Sequence, residues 1–79
     1  MQLHIASPIE KREEQIAWIE FDTTQGNFVV LAGHAPMIMT LLPLSNVLFR
    51  LKSGKEETKK ITQGVVHITR TTVTLLLTA

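Results

Sequence analysis

The sequence predicts an all-β fold, a small antiparallel β-sandwich of two packed sheets with about 8–10 short strands. Two observations indicate this class. Glycine and proline, which interrupt regular structure, divide the chain into short segments. Within those segments apolar and polar residues alternate with period two, as they do in half-buried strands. The dividing residues are Pro8, Gly26, Gly33, Pro36, Pro43, Gly54 and Gly64.

The composition indicates a single folded domain, predicted to span residues 1–79. Its 44% hydrophobic content is typical of a chain that buries a core. Cysteine is absent, so no disulfide stabilises the fold. The net charge of +1 argues against nucleic-acid binding, which usually needs a concentrated basic face. Five of the seven acidic residues fall in two charge-rich stretches, 10–14 and 56–57, interpreted as solvated surface.

The strands are assigned from the alternation, in chain order. Each segment places a set of apolar side chains on one face, which in a sandwich points toward the core. These sets are Ala17, Ile19 and Phe21; Val47, Phe49 and Leu51; Val66 and Ile68; and Val73, Leu75 and Leu77. The charged segment KSGKEETKK predicts a hairpin turn at Ser53 and Gly54. The predicted core comprises Ile5, Ile19, Phe21, Val30, Ile38, Phe49, Ile68 and Leu75.

One segment near the N-terminus predicts a helix instead. Ser7 is a suitable helix N-cap, Pro8 suits the first helical position, and Glu10 completes a capping box. These local signals indicate a helix from Pro8 toward Trp18. Against it, Arg12 interrupts the apolar stripe that a core-facing helix needs. The residues alone leave helix and strand open here.

The segment MIMTLL is apolar on both of its faces. Met37 and Met39 share one face with Leu41, whereas Ile38 and Leu42 lie on the other. Two explanations fit this pattern. The segment is a central strand of the sandwich, or one of its faces is covered by another protein, since methionine suits adaptable contact surfaces.

The residues that could carry chemistry do not form a recognisable site. His4, His34 and His67 lie 30 or more positions apart, and no thiolate is available, so we expect neither a metal nor a cofactor. Glu20 and Asp22 share a strand face and could pair as general acid and base. No further polar group in the sequence supports that pair, and we predict no catalytic residue.

The segment GNFVVLAGHAPMIMTLLP carries the most specific motif, a Gly-His-Ala-Pro corner inside an apolar run. On this motif the chain resembles the N-terminal β-sandwich domain of the epsilon subunit of F-type ATP synthases. That family typically shows Glu-Gly-x-x-Gly-Ile-x-Pro-Gly-His-Ala-Pro and then an apolar run ending in Lys-Pro-Gly. The matching residues are Gly26, Gly33, His34, Ala35, Pro36 and Pro43. The resemblance spans essentially the whole chain, although Ala32 and Leu44 replace a usual proline and glycine.

The resemblance implies a non-catalytic rotor subunit of the central stalk, which links the gamma subunit to the membrane c-ring and couples ion-driven rotation to ATP synthesis. Carried over by position, the gamma contact comprises Ser7, His34, Met37, Ile38, Met39 and Thr40. The c-ring contact comprises Gln25, Gly26 and Asn27. The corner itself follows from turn chemistry, because Gly33 permits a twisted backbone and Pro36 makes Ala35 extended.

The resemblance also implies a peripheral location on the cytoplasmic face of an energy-coupling membrane, either a bacterial plasma membrane or its organelle equivalent. It implies no small-molecule substrate. Because the sequence ends at Ala79, we expect the short form without the family's C-terminal helical domain. Two alternatives stay open, since fold does not determine function. One is a free-standing β-sandwich adaptor or small-ligand-binding protein, and the other is a small hydrolase using His34 with Asp22 or Glu20.

Overall fold

The computed structural model describes residues 1–78, and every regular element in that range is a β-strand. The predicted all-β class is confirmed, and of the helix and strand left open for the segment after Pro8, the strand is the one observed. No helix among these residues could span a membrane. The eight strands, a number within the expected range, are β1 (Gln2–Ala6), β2 (Lys11–Thr23), β3 (Gly26–Leu31), β4 (Met37–Thr40), β5 (Asn46–Leu51), β6 (Glu56–Lys60), β7 (Gly64–Ile68) and β8 (Thr72–Leu77).

The strands form two sheets that share β2. The first sheet has the order β4-β7-β8-β1 and then the start of β2. The second has β3, the remainder of β2, β5 and β6, in that order. Paired strands are antiparallel as predicted, except that β1 and β8 are parallel. A parallel pair needs a long connection, and here the whole second sheet lies between these two strands in the chain.

A β-bulge carries β2 from one sheet to the other. Before Ile16 the strand pairs with β1, and from Ile16 onward it pairs with β3 and β5. The pairing register shifts between Ile16 and Trp18. A bulge adds one residue to one strand, so Ile16 and Ile19 both point inward and Ala17 is exposed. The predicted inward position of Ala17 is therefore wrong, because strict alternation does not allow for the extra residue.

One apolar core lies between the sheets. Seven of the eight predicted core residues are at most 2% exposed, and the exception is Ile38. The inward faces predicted for β5, β7 and β8 are confirmed. The core is completed by Leu3, Ile16, Leu41, Val47, Ile61, Val66, Val73 and Leu77.

The residues that predicted a helix cap form a turn between β1 and β2. The Ser7 N–H donates to the Glu10 carbonyl at 2.8 Å, and the Ser7 hydroxyl lies 3.5 Å from the same oxygen. Beyond this turn, β2 pairs residue for residue with β1. Tertiary pairing thus overrides a local helix preference, which is worth only a few tenths of a kcal/mol per residue.

Candidate functional site

The Gly-His-Ala-Pro corner reverses the chain between β3 and β4, as predicted. Gly33 has φ +86°, a conformation that side chains with a Cβ rarely adopt. Its N–H donates to the Arg70 carbonyl at 2.9 Å, which fastens the corner to the β7–β8 turn. The His34 N–H donates to the Leu31 carbonyl at 3.2 Å, and the His34 Nδ1 lies 2.8 Å from the Ala35 carbonyl oxygen. Because a carbonyl can only accept, this contact makes Nδ1 the protonated nitrogen.

His34 is half-buried rather than fully exposed. Its Nε2 is the ring nitrogen not used at the corner, and it has no intramolecular hydrogen-bond partner among residues 1–78. In the neutral ring this nitrogen is an acceptor. The side chain can therefore contact a partner protein while its backbone and Nδ1 hold the turn.

The strand β4 lies at the edge of the first sheet, where β7 is its only partner strand within residues 1–78. Met37 and Met39 pack against the core, whereas Ile38 is 71% exposed. Two expectations are corrected: Ile38 is not a core residue, and β4 is not a central strand. Each strand of a two-layer sandwich has one face against the core and the other open, so the outward side chain of Ile38 is left uncovered.

An apolar row crosses the outer face of the first sheet beside Ile38. The strand registers align Thr40 with Val65, Val65 with Leu76, and Leu76 with Ala6. Leu76 is 51% exposed. The row cannot be recognised in the sequence, because only the strand order makes these four residues neighbours.

Ser7 and His34 lie at opposite ends of this sheet. Ser7 follows Ala6, which closes the apolar row, while His34 precedes Met37 at the other end of β4. The two strands β7 and β8 also separate β4 from β1. A single partner that contacts both Ser7 and His34 must therefore cross the outer face of the sheet diagonally. It would span the length of the strands and all four of β4, β7, β8 and β1.

The tip of the β2–β3 hairpin holds the residues matched to the c-ring contact. Gly26 has φ +124°, and Gln25 and Asn27 are exposed. The buried Thr23 stabilises the turn, since its hydroxyl accepts from the Gln25 N–H at 3.0 Å and donates to the Gly26 carbonyl at 3.0 Å. The Asn27 amide donates to an Asp22 carboxylate oxygen at 2.9 Å. The turn is thus ordered by its own side chains and presents neutral amides to solvent.

The hairpin tip adjoins β4. A cleft of about 340 Å³ is lined by Thr23, Thr24 and Gln25 on one side and by the four residues of β4, 37–40, on the other. The β4 residues matched to the gamma contact therefore lie beside Gln25, which is matched to the c-ring contact. A second groove, of about 570 Å³, lies beside the apolar row and is lined by Gly64 and Leu76 among others.

The candidate catalytic residues are not assembled. In the β2–β3 hairpin Asp22 pairs with Asn27 beside the tip, whereas His34 follows Leu31 at the opposite end. Asp22 is also engaged by the Asn27 amide. Residues 1–78 contain no group of three or more His, Cys, Asp or Glu side chains that could hold a metal. The hydrolase alternative therefore has no geometric support.

The two charge-rich stretches bind each other rather than facing solvent separately. The Arg12 guanidinium donates to Glu57 at 2.6 Å and to Glu14 at 3.1 Å, and Lys59 donates to Glu10 at 2.9 Å. We call these five residues the edge ion cluster. Arg12 also lies over the Phe49 ring, 5.5 Å from its centroid. The cluster closes the side of the sandwich where β6 faces the start of β2. Its carboxylates are 25–38% exposed, so these stretches lie at the surface as interpreted, and ion pairs join them.

Hydrogen bonding in the edge ion cluster favours the charged forms of its carboxylates and of its guanidinium group. The hydrogen bond from Arg12 holds the pKa of Glu57 below its ordinary value, and that from Lys59 lowers the pKa of Glu10. The hydrogen bond to Glu57 raises the pKa of Arg12. The sequence offered a signal for this pairing, since Arg12, Glu57 and Lys59 all fall at alternate, inward positions of their strands.

The two sheets, packed around one apolar core, define a small β-sandwich domain. The chain belongs to the family described as ATP synthase, Delta/Epsilon chain, beta-sandwich domain, whose model matches residues 1–79. Sequence comparison with curated proteins gave no significant match.

Two solved structures have the same fold. A chain of the Euglena gracilis mitochondrial ATP synthase, in an OSCP/F1/c-ring structure, is 25% identical with a TM-score of 0.88; the match covers 98% of this chain and 49% of that one. A chain from the Tetrahymena thermophila mitochondrial ATP synthase central stalk and c-ring is 15% identical with a TM-score of 0.85, covering 100% and 63%. The chain thus spans less than two thirds of either relative, and the second likeness concerns the fold alone.

Proposed function

We propose that the protein is a non-catalytic rotor subunit of the central stalk of an F-type ATP synthase. It links the gamma subunit to the membrane c-ring, so that ion-driven rotation reaches the catalytic head. The observation that carries this proposal is the family match across residues 1–79. The protein then lies peripherally on an energy-coupling membrane. We propose that this is the cytoplasmic face of a bacterial plasma membrane. The protein needs no cofactor or small-molecule substrate of its own.

The outer face of the first sheet is the proposed gamma contact. The edge strand β4, with Ile38 exposed, and the apolar row from Thr40 to Ala6 offer a continuous surface for a partner. His34 and Ser7 mark its two ends. Met37 and Met39 support this surface from below, because their side chains pack against the core.

We expect Ile38→Asp and His34→Asp each to weaken gamma binding by about 1–2 kcal/mol, because either places an unpaired charge in an apolar contact. The measurement is the affinity of the purified gamma subunit for each variant, by calorimetry. Thr58→Asp, on the exposed face of the second sheet, is the control and should bind as wild type does. Unchanged binding by both test variants would place the gamma contact elsewhere.

The hairpin tip is the proposed c-ring contact, and its chemistry predicts weak salt dependence. Gln25 and Asn27 are neutral amides, whereas a carboxylate at such a tip could form rim ion pairs, which are screened by salt. We expect association of the gamma complex with purified c-ring to change little between low and high ionic strength. Gln25→Glu should make the dependence steeper. A steep loss in the wild type, removed by neutralising Lys55 and Lys60, would contradict this assignment.

A further inference from the structure

The two sides of the sandwich differ in the charge of their edge strands. On one side the edge strand β6 carries four charged residues, and the edge ion cluster joins it to the start of β2. On the other side lie β3 and β4, each the last strand of its sheet. Neither contains a charged residue. Charges on an edge strand discourage pairing with other chains, so only the second side is left open to it.

The edge of β3 offers backbone hydrogen-bonding groups that have no partner strand. A two-residue turn joins β2 to β3, and the pair beside it is Thr23 with Gly26. In such a hairpin the pair next to the turn is hydrogen-bonded, and bonded and non-bonded pairs then alternate. Asn27 and Val29 therefore direct their backbone N–H and C=O groups away from β2. Within residues 1–78, no other strand pairs with β3.

The side chains of β3 make this edge more receptive than that of β4. Val29 and Leu31 are 54% and 58% exposed on the outer face of the second sheet. The strand has six residues without proline, whereas β4 has four and begins directly after Pro36. Short edge strands and nearby proline protect an edge, and a longer apolar one invites an added strand.

Charge on the neighbouring strand indicates what kind of segment fits. Glu20 is the cross-strand partner of Val29, is half-buried, and forms no ion pair among residues 1–78. Its other neighbour on the same face is Leu48. A second copy of this chain would bring uncharged residues to the edge and a second uncompensated Glu20 nearby. A strand with apolar residues and one lysine or arginine would complement both the valine and the carboxylate.

We propose that the free edge of β3 accepts an extended strand of the gamma subunit, with an apolar residue opposite Val29 and a basic residue that reaches Glu20. This inference rests on the proposed function for the identity of the partner. It adds a mode of recognition, β-strand addition on the second sheet, to the proposed packing contact on the first. The gamma subunit would then hold the sandwich at both β3 and β4, the two edges of its open side.

The test compares Val29→Pro with Val29→Thr. Proline removes only the N–H that points to the free edge, so the β2–β3 ladder stays intact while strand addition is blocked. Threonine keeps the N–H and a β-branched side chain. We expect Val29→Pro to lose at least about tenfold in affinity for purified gamma subunit and Val29→Thr to lose clearly less, because threonine gives up only part of the apolar contact. Equal affinities of the two variants overturn strand addition. Failure of the wild type to bind gamma overturns the proposed function itself.

Amide hydrogen exchange of the wild type is the second measurement, and it requires no variant to fold. Adding gamma subunit should slow exchange at Val29 and Asn27, whose N–H groups would become hydrogen-bonded. Unchanged exchange at both amides in the complex overturns the proposal. Slowed exchange that depends on the concentration of this chain alone, without gamma, also overturns it, because the occupant would then be a second copy.

Discussion

Replacing Phe21 with alanine is expected to lower the free energy of unfolding by about 3–5 kcal/mol. Phe21 lies on the inward face of β2, is 1% exposed, and stacks on Phe28 with ring centroids 6.2 Å apart. Its removal leaves a cavity between the sheets. Domains are stable by only about 5–15 kcal/mol, so this variant should be partly unfolded near body temperature. Urea unfolding followed by Trp18 fluorescence measures the change.

The matched control is Phe28→Ala, on the strand paired with β2. Phe28 is the cross-strand partner of Phe21 but is only half-buried. Because less apolar area leaves water at this position, its truncation should cost about half as much. If Phe28→Ala proved as costly as Phe21→Ala, the core would extend to the hairpin's outer edge, contrary to the observed burial. Both variants also bear on function, since this hairpin carries the proposed c-ring contact at its tip.

Much of the fold could be predicted because period-two alternation survives wherever a strand has one buried face. In β5, β7 and β8 that condition holds, and every predicted inward residue is buried except Leu51, which is partly buried against the core. It fails in β2, where the bulge after Ile16 shifts the alternation by one residue. This bulge lies where β2 passes from one sheet to the other, and the local sequence pattern does not predict that change of pairing.

The edges of the sheets could not be predicted for a related reason. Ile38 and Phe49 both belong to the predicted core, yet Ile38 is exposed and Phe49 is buried. The difference is the face: Ile38 lies opposite the core-packed Met37 and Met39, whereas Phe49 lies on the inward face of β5. Which face of an all-apolar strand turns inward depends on how that strand pairs in its sheet. Strand order is a property of the whole chain, since it depends on which distant segments pair.

The candidate surfaces were predictable only as motifs, not as arrangements. The corner at Gly33 follows from turn chemistry, and its positive φ is as expected. The nearness of Gln25 to β4, the apolar row through Leu76, and the free edge of β3 each combine segments far apart in sequence. Each of these surfaces therefore depends on tertiary pairing, which the sequence motifs do not specify.

The edge ion cluster is the other such combination, and removing Arg12 should expose its contribution. In Arg12→Gln the Glu57 carboxylate, 25% exposed, loses its 2.6 Å partner, and Glu14 and the Phe49 ring lose theirs. A partly buried carboxylate left without its cation costs about 2–3 kcal/mol at neutral pH. The control is Arg50→Gln, whose partner Glu56 is 3.7 Å away with both side chains about half exposed, and it should cost under about 0.5 kcal/mol.

The cost of Arg12→Gln should depend on pH. Because Arg12 lowers the pKa of Glu57 in the folded protein, the unfolded chain takes up a proton more readily than the folded one. The contribution of the pair is therefore complete above the ordinary carboxyl pKa, near 4.5, and is lost as pH falls below it through the folded value. Urea unfolding of wild type and variant at pH 7, 5 and 3 should give curves that converge in acid. A difference that stayed constant with pH would mean that Arg12 stabilises the edge by packing on Phe49, with no contribution from its charge.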